Sequence, residues 1–373
     1  MSLRKPSLSF SQIVNMNVGF FGIQYSFGLQ QSAVNPIYDF LGASPDEIPL
    51  LNLAGPVTGL LIQPFIGAMS DSTWHPHWGR RKPYFFIGAL LCSICLLLYP
   101  FSSSLWMAAS LLWILDAGNN TAMEPYRAFV ADKLNDDQQP TGFQMQSFFT
   151  GFGQTLANLS LFIFPMIFIG KTGSLPTWVY ASFFLGAVCS IGSIWWSMHT
   201  TSEIEPTAEE LAEIRSRKTN VLESIFEIFH AIGEMPKVMW QLALVYLFQW
   251  YALFCYWQNS SKSIALSVWN ATPKDNPELY EQAVSWTGLV NGWYNIVTFL
   301  SALALARYAN KYGAKTVHMV CLILAAAGFL AFPHIENKNL LFFAISGFGI
   351  GWASMMGIPY LLVVGDIPKE RYG

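Results

Sequence analysis

A helix needs about 20 predominantly apolar residues to cross a bilayer's hydrocarbon core, with about 17 to 25 as the working range. Ten runs of that kind divide this chain: Ile13–Phe40, Leu50–Met69, Tyr84–Pro100, Leu105–Val130, Phe143–Ile169, Trp178–Met198, Val238–Asn259, Val284–Ala306, Thr316–Phe332 and Leu340–Val364. Each ends at Pro, Gly or charge, and the Gly and Pro inside several of them are common in membrane helices. Composition points the same way. Hydrophobic residues make up 53% of the 373 and charged residues 12%, against about a quarter charged in a soluble domain. A soluble fold could not cover its surface with so little charge. The net charge of −3, without a long Lys/Arg block, removes the electrostatic footprint of a nucleic-acid binder. The 29 Phe, 14 Trp and 15 Tyr exclude a disordered chain. The sequence therefore predicts ten membrane helices and needs no strand.

Loop charges set the orientation. With the N-terminus cytoplasmic, fifteen Lys and Arg fall in inner segments, and the outer loops hold only Lys171, Lys262, Lys274 and Lys338. No cleavable signal peptide is expected, because the first apolar run is too long and lacks a small-residue cleavage site. Cys92, Cys95, Cys189, Cys255 and Cys321 all lie inside apolar runs and read as small buried hydrophobes, the Cys92/Cys95 pair included. Residues 199–236 read as a cytoplasmic linker. Thr207 and Glu210 form a capping box after Pro206, and Leu222, Ile225, Phe229 and Ile232 recur at helical spacing, as an amphipathic helix on the inner membrane surface would require.

The chain repeats. Gly79 and Gly313, Pro125-Tyr126 and Pro359-Tyr360, and Asp132 and Asp366 are each 234 positions apart. Parallel repeats about an axis normal to the membrane are the pattern of the major facilitator architecture, with substrate held near the midplane. The predicted fold is an all-α polytopic membrane protein of two parallel six-helix repeats. Residues 1–198 form an N-terminal six-helix bundle, and 237–373 form the first four helices of a C-terminal bundle, ten in all. Helices five and six have no counterparts after Gly373, so the second repeat is expected to be truncated and the chain to transport poorly alone.

Ionisable residues inside spanning helices are costly and default to functional hypotheses. The fourth run carries Asp116, Glu124 and Arg127. Asp116 and Arg127, eleven residues apart, share a helix face about 16 Å apart along the axis, and Asn120 lies between them. That spacing suits two ends of an elongated polar ligand. Glu124 is one turn from Arg127, whereas Asp116 has no partner within a turn. Gln24, Gln30, Asn119, Asn120, Gln249, Trp250, Trp257, Asn291, Trp293 and Asn295 add uncharged amides and indoles, which suit a neutral polyhydroxy ligand: hydroxyls need donors and acceptors, and sugar C–H faces stack on rings. Asp71, Arg80, Arg81 and Asp132 bracket cytoplasmic helix ends and form a candidate gate. His75 and His77 have no third ligand nearby, and no metal site is expected. No phosphate-binding glycine loop or hydrolase motif occurs, which speaks against ATP-driven transport and catalysis.

GIQYSFGLQ (Gly22 to Gln30), Gly55-Pro56, Ser70-Asp71, GRRKPYF (Gly79 to Phe85) and DAGNNTAMEPYRAFVAD (Asp116 to Asp132) resemble the sucrose transporters of plants and their animal and bacterial relatives. These belong with the glycoside–cation symporters of the major facilitator superfamily. The resemblance implies proton-coupled uptake of a disaccharide or glucoside of the sucrose or maltose class, with the helix-four acid as proton site and the helix-four arginine essential for sugar. Those positions are Asp116 and Arg127, with Glu124 the competing proton site. Glu124 stands where plant members have a small residue, Ser285-Trp286 replaces an Arg-Glu pair, and about Pro45 the outer-loop histidine is missing. The coupling ion would be H+, with no other cofactor. The expected setting is a monomer spanning the cell membrane many times, in the bacterial inner membrane. A sodium-coupled carrier of the melibiose type would show paired acids in the second run, which has none. A non-transporting sugar sensor would carry a long cytoplasmic extension, and Met1 to Ser11 is short.

Overall fold

The computed structural model describes residues 5–135, 137–216, 233 and 235–366. Ten long helices and two short ones make up nearly all of it: α1 Phe10–Phe40, α2 Ile48–Leu51, α3 Ala54–Asp71, α4 Lys82–Leu98, α5 Leu105–Lys133, α6 Gln139–Ile167, α7 Thr177–Thr200, α8 Ala208–Ser216, α9 Lys237–Trp269, α10 Pro277–Tyr312, α11 Ala314–Ala331 and α12 Leu341–Asp366. Their starts are written locally. Ser9 and Gln12 close a capping box on α1, the Ser104 hydroxyl accepts from the Met107 N–H at α5, and Thr207 and Glu210 cap α8 reciprocally. Pro36, Pro64, Pro125, Pro165 and Pro359 all sit inside long helices. Membrane helices tolerate this because neighbouring helices satisfy the freed carbonyls.

Three expectations need correction. A two-stranded antiparallel hairpin pairs Lys171–Thr172 with Leu175–Pro176. Gly170 and Gly173 permit it by turning at φ 94° and 63°, a region closed to most side chains. The seventh helix runs ten residues past its predicted end, through Lys262 to Trp269, so Lys262 is a helix residue and not a loop charge. Hydropathy marks where a helix leaves lipid, whereas the backbone stops only where another conformation takes over, here Asn270 in the left-handed region at φ 47°. Finally, Cys255 is exposed and Cys189 half-buried, because a side chain that faces lipid is apolar without being covered by protein. The predicted amphipathic stretch Leu222 to Ile232 lies outside the described residues.

The chain divides into two compact units. The first is Met1–Gln30, Ile37–Ala157 and Phe164–Glu227, and the second is Gln31–Pro36, Asn158–Ile163 and Ile228–Gly373. In the first, α4 lies against α5 and α7, and α3 against α5. A Cβ on Gly88 would meet the Gly118 carbonyl at 2.5 Å, so the bare glycines set how closely α4 and α5 approach. Tyr126 on α5 pins three helices: its hydroxyl donates to the Met16 carbonyl of α1, sits 2.9 Å from Ser197 Oγ of α7, and accepts from the Gly19 N–H at 3.1 Å. Phe20, Phe85 and Phe129 surround that ring. In the second unit α12 packs on α10 and α11, and α9 on α10.

Candidate functional site

Six described helical segments are long and apolar enough to cross a membrane: Ile48–Asp71, Lys82–Phe101, Thr177–Thr200, Lys237–Trp269, Ala314–His334 and Leu341–Pro359. The remaining long helices, α1, α5, α6 and α10, are interrupted by amides and hydroxyls, and polar positions of α1 and α5, with two from α3, surround Asp116 in the first unit.

Asp116, 2% exposed, sits midway along α5. Gln30 of α1 donates its amide to one carboxylate oxygen, and Thr58 of α3 donates its hydroxyl to the other. Asn120, one turn along α5, also donates to that second oxygen, at 2.9 Å. This corrects the expectation that Asp116 has no partner within a turn: a side-chain amide at i+4 serves. A second shell of bonds holds the donors. Asn119 donates to the Gln30 carbonyl at 3.3 Å and accepts from the Cys92 thiol at 3.2 Å, while Gln63 of α3 donates to Asn120 at 2.6 Å. Among the described residues Asp116 forms no ion pair. A buried carboxylate so held has its lone pairs satisfied by neutral donors, and none of these donors brings a compensating charge.

Arg127 and Glu124 stand apart from that cluster. They pair at 2.9 Å, the arginine side chain 48% exposed. Sharing a helical face with Asp116 does not give Arg127 the same surroundings, because three turns along α5 the neighbouring helices present different side chains. Gln24 is buried elsewhere on α1, accepting from Gln154 of α6 at 2.9 Å.

In the second unit the candidates fall into separate groups. Asn291 accepts from the Tyr256 hydroxyl at 2.7 Å, and Asn295 donates back to the Asn291 carbonyl at 2.9 Å. Trp250 and Trp257 pack edge to face with each other and with Trp352 of α12, ring centroids 5.8–6.3 Å apart. Trp293 lies apart from them, donating to Ser346 at 2.9 Å. Gln249 faces His318 of α11.

At the end of α3 and the start of α4, Arg81 bridges Asp71 at 2.6 Å and Asp132 at 2.9 Å, and Arg80 adds a second contact to Asp71 at 2.7 Å. Arg81 also donates to Ser70 Oγ at 2.6 Å. Glu203, just beyond α7, accepts the backbone N–H groups of Arg80, Arg81 and Lys82 at 2.7–2.9 Å, where the chain enters α4 and the helix dipole favours a negative charge. His75 closes the intervening turn through two backbone bonds with Gly79, and its Nδ1 accepts from the backbone of His77 and Trp78.

Sequence reasoning missed Thr58, Gln63, Glu203, His318, Ser354 and Trp352. Thr58 and Gln63 carried a signal, as two of the few polar residues in an otherwise apolar run. Glu203 carried none, since nothing local to a linker carboxylate names a helix end 121–123 residues away.

A family model described as Major Facilitator Superfamily matches residues 16–373. The sucrose transport protein SUT5 of Oryza sativa subsp. indica is 23% identical over 347 residues, covering 82% of this chain and 62% of that protein. The chain thus spans about three fifths of that relative's length. Among solved structures, a bacterial homologue of the human lysosomal transporter Spinster superposes with a TM-score of 0.68 at 14% identity, over 98% of this chain and 77% of that one. The nucleoside transporter NupG does so with 0.64 at 13% identity, over 96% and 84%. At such identity the structural likeness speaks for the fold alone.

Proposed function

The chain belongs to the Major Facilitator Superfamily, and on that premise we propose that it carries a neutral disaccharide or glucoside of the sucrose or maltose class together with a proton. The carrying observation is Asp116: a buried carboxylate ringed by Gln30, Thr58 and Asn120, with no cationic side chain paired to it among the described residues. The sugar-transport relative supports the substrate class, and the amides and indoles supply its hydrogen bonds and stacking faces.

Asp116 is the proton site in this reading. When the carboxylate is ionised, all three neighbours point donors at it. When it is protonated it becomes a donor, and Thr58 is placed to receive that proton's hydrogen bond. The Thr58 hydroxyl already lies against Asp116 and has the Gly55 carbonyl at 3.4 Å as an alternative acceptor. Protonation also weakens the hold on Gln30 and Asn120, whose amides are then available to sugar hydroxyls, so sugar affinity follows proton occupancy. One proton moving down about 100 mV releases about 2.3 kcal/mol, enough for about fifty-fold accumulation. Arg127 keeps guanidinium donors beyond its bond to Glu124 for a sugar hydroxyl. Arg81, with Asp71, Arg80 and Asp132, holds the cytoplasmic end of the first unit closed, and the N-terminus is cytoplasmic.

Asp116→Asn keeps the shape and, like the protonated acid, offers one accepting oxygen and a donor, but exchanges no proton. In vesicles with an imposed pH gradient it should abolish uphill accumulation of a labelled disaccharide while sparing exchange down a sugar gradient. If Asp116→Asn still concentrates sugar and Glu124→Gln does not, the proton belongs to Glu124.

A further inference from the structure

His318 is a buried titratable group that the Asp116 reading leaves unused. Its imidazole is wedged between two side chains from other helices of the second unit. Nδ1 lies 2.7 Å from Ser354 Oγ of α12, and Nε2 lies 3.2 Å from the amide nitrogen of Gln249 on α9. An amide nitrogen only donates, so with the Gln249 nitrogen on this side Nε2 accepts, and the matching neutral ring carries its proton on Nδ1 toward Ser354. In that arrangement the Gln249 carbonyl oxygen is buried and has no partner among the described residues.

We infer that His318, Gln249 and Ser354 form a second proton-binding site, one in which the Gln249 amide turns over when the ring is charged. A proton from water adds an N–H bond at Nε2 and one positive charge to the ring. Nε2–H then faces the wrong end of Gln249, and rotating the amide by half a turn brings the orphaned oxygen round to accept it. Both protonation states are thereby hydrogen-bonded at Nε2, and the charged state removes the unsatisfied oxygen that the neutral state leaves. Ser354 serves either state, since its hydroxyl accepts from Nδ1–H in both.

Among the described residues, Tyr246 of α9 donates its hydroxyl to the carbonyl of Met355, the residue after Ser354, at 2.9 Å. Leu305, Ala309, Val317, Cys321, Ala353 and Ile358 of α10, α11 and α12 form an apolar cluster that includes the chain neighbours of His318 and Ser354, and its one ionisable group is the Cys321 thiol. Among the described residues the imidazole forms no ion pair. The repeat adds an independent observation. Ser354 lies 234 positions after Asn120, the residue that bonds Asp116, so the same place in each repeat holds the partner of a buried titratable group.

This site extends the proposed proton coupling but is tested without sugar or gradient, so its failure and that of the Asp116 reading are separate results. The full chain, labelled with 15N-histidine and held in lipid bilayers, is followed by solid-state NMR from about pH 4 to about pH 9. His318→Asn identifies the resonance among the six histidines. The expected result is passage from a neutral Nδ1–H ring to a doubly protonated one within that range. Gln249→Leu, which removes the acceptor, should lower the midpoint by about one pH unit, and Gln249→Glu should raise it by about one or more. A ring that stays neutral throughout, or a midpoint that neither Gln249 variant moves, overturns the site. Should either variant fail to insert, the other variant and the wild-type titration still decide it.

Discussion

Gly79 and Gly313 stand 234 positions apart at corresponding turns, and both have positive φ, 76° and 85°. What surrounds them differs completely. A Cβ on Gly79 would lie 2.5 Å from the Glu203 carboxyl carbon, while one on Gly313 would meet nothing within 4 Å. Next to the first turn, Arg81 ties Asp71 to Asp132. At the positions corresponding to Asp71 and Arg80 the second repeat has Leu305 and Ala314, and Leu305 belongs to an apolar cluster on which Ala314 packs. The backbone of this corner was kept through the repeat while its described surroundings changed: Arg81 bridges two carboxylates beside the first turn, and Leu305 and Ala314 pack together beside the second, where Lys315 is exposed. A turn geometry thus constrains a sequence less than its neighbours do.

Arg81→Ala should have the largest effect on this contrast. The Arg81 side chain is 6% exposed and its two carboxylates 43% and 44%. Water therefore relieves much of the stranded charge, and the loss should be about 2–3 kcal/mol, below the figure for a fully buried pair. Lys315→Ala, at the corresponding exposed position, should cost under about 0.5 kcal/mol. Thermal unfolding of purified protein compares them, and equal losses would mean that charge holds both corners. In uptake assays Arg81→Ala should slow transport while leaving equilibrium sugar binding largely intact.

The two glycines sharpen the comparison further. Gly79→Ala and Gly313→Ala each force alanine into left-handed backbone at about 1 kcal/mol, but only the first also pushes Glu203 off the N-terminus of α4, adding about 1 kcal/mol. In a Glu203→Ala background the two alanine variants should therefore become alike. A persistent difference would place its cause outside the Glu203 contact. Smallest of all, Arg80→Ala should cost about 0.5 kcal/mol and less in high salt, because its bond to half-exposed Asp71 is screened.

The ten long helices were legible because the requirement they meet is local. A membrane helix is a predominantly apolar run that satisfies its own backbone, and both conditions are written within one stretch of chain. The family resemblance rested on equally local strings, above all Asp116 to Asp132. Within the site, Asp116, Gln30, Asn119 and Asn120 announced themselves as polar groups in apolar runs, and the structure brings these four together. It leaves Arg127 and Gln24 outside, although the same signal had marked them.

The sequence by itself determined how many long helices form and which residues are too polar for lipid without a partner. Only the tertiary structure decided who the partners are. Thr58 meets Asp116, and Glu203 meets the start of α4, because separate helices pack in one particular rotation and height. A contact between residues 58 or 123 positions apart depends on every side chain that sets that packing, and no local pattern carries it.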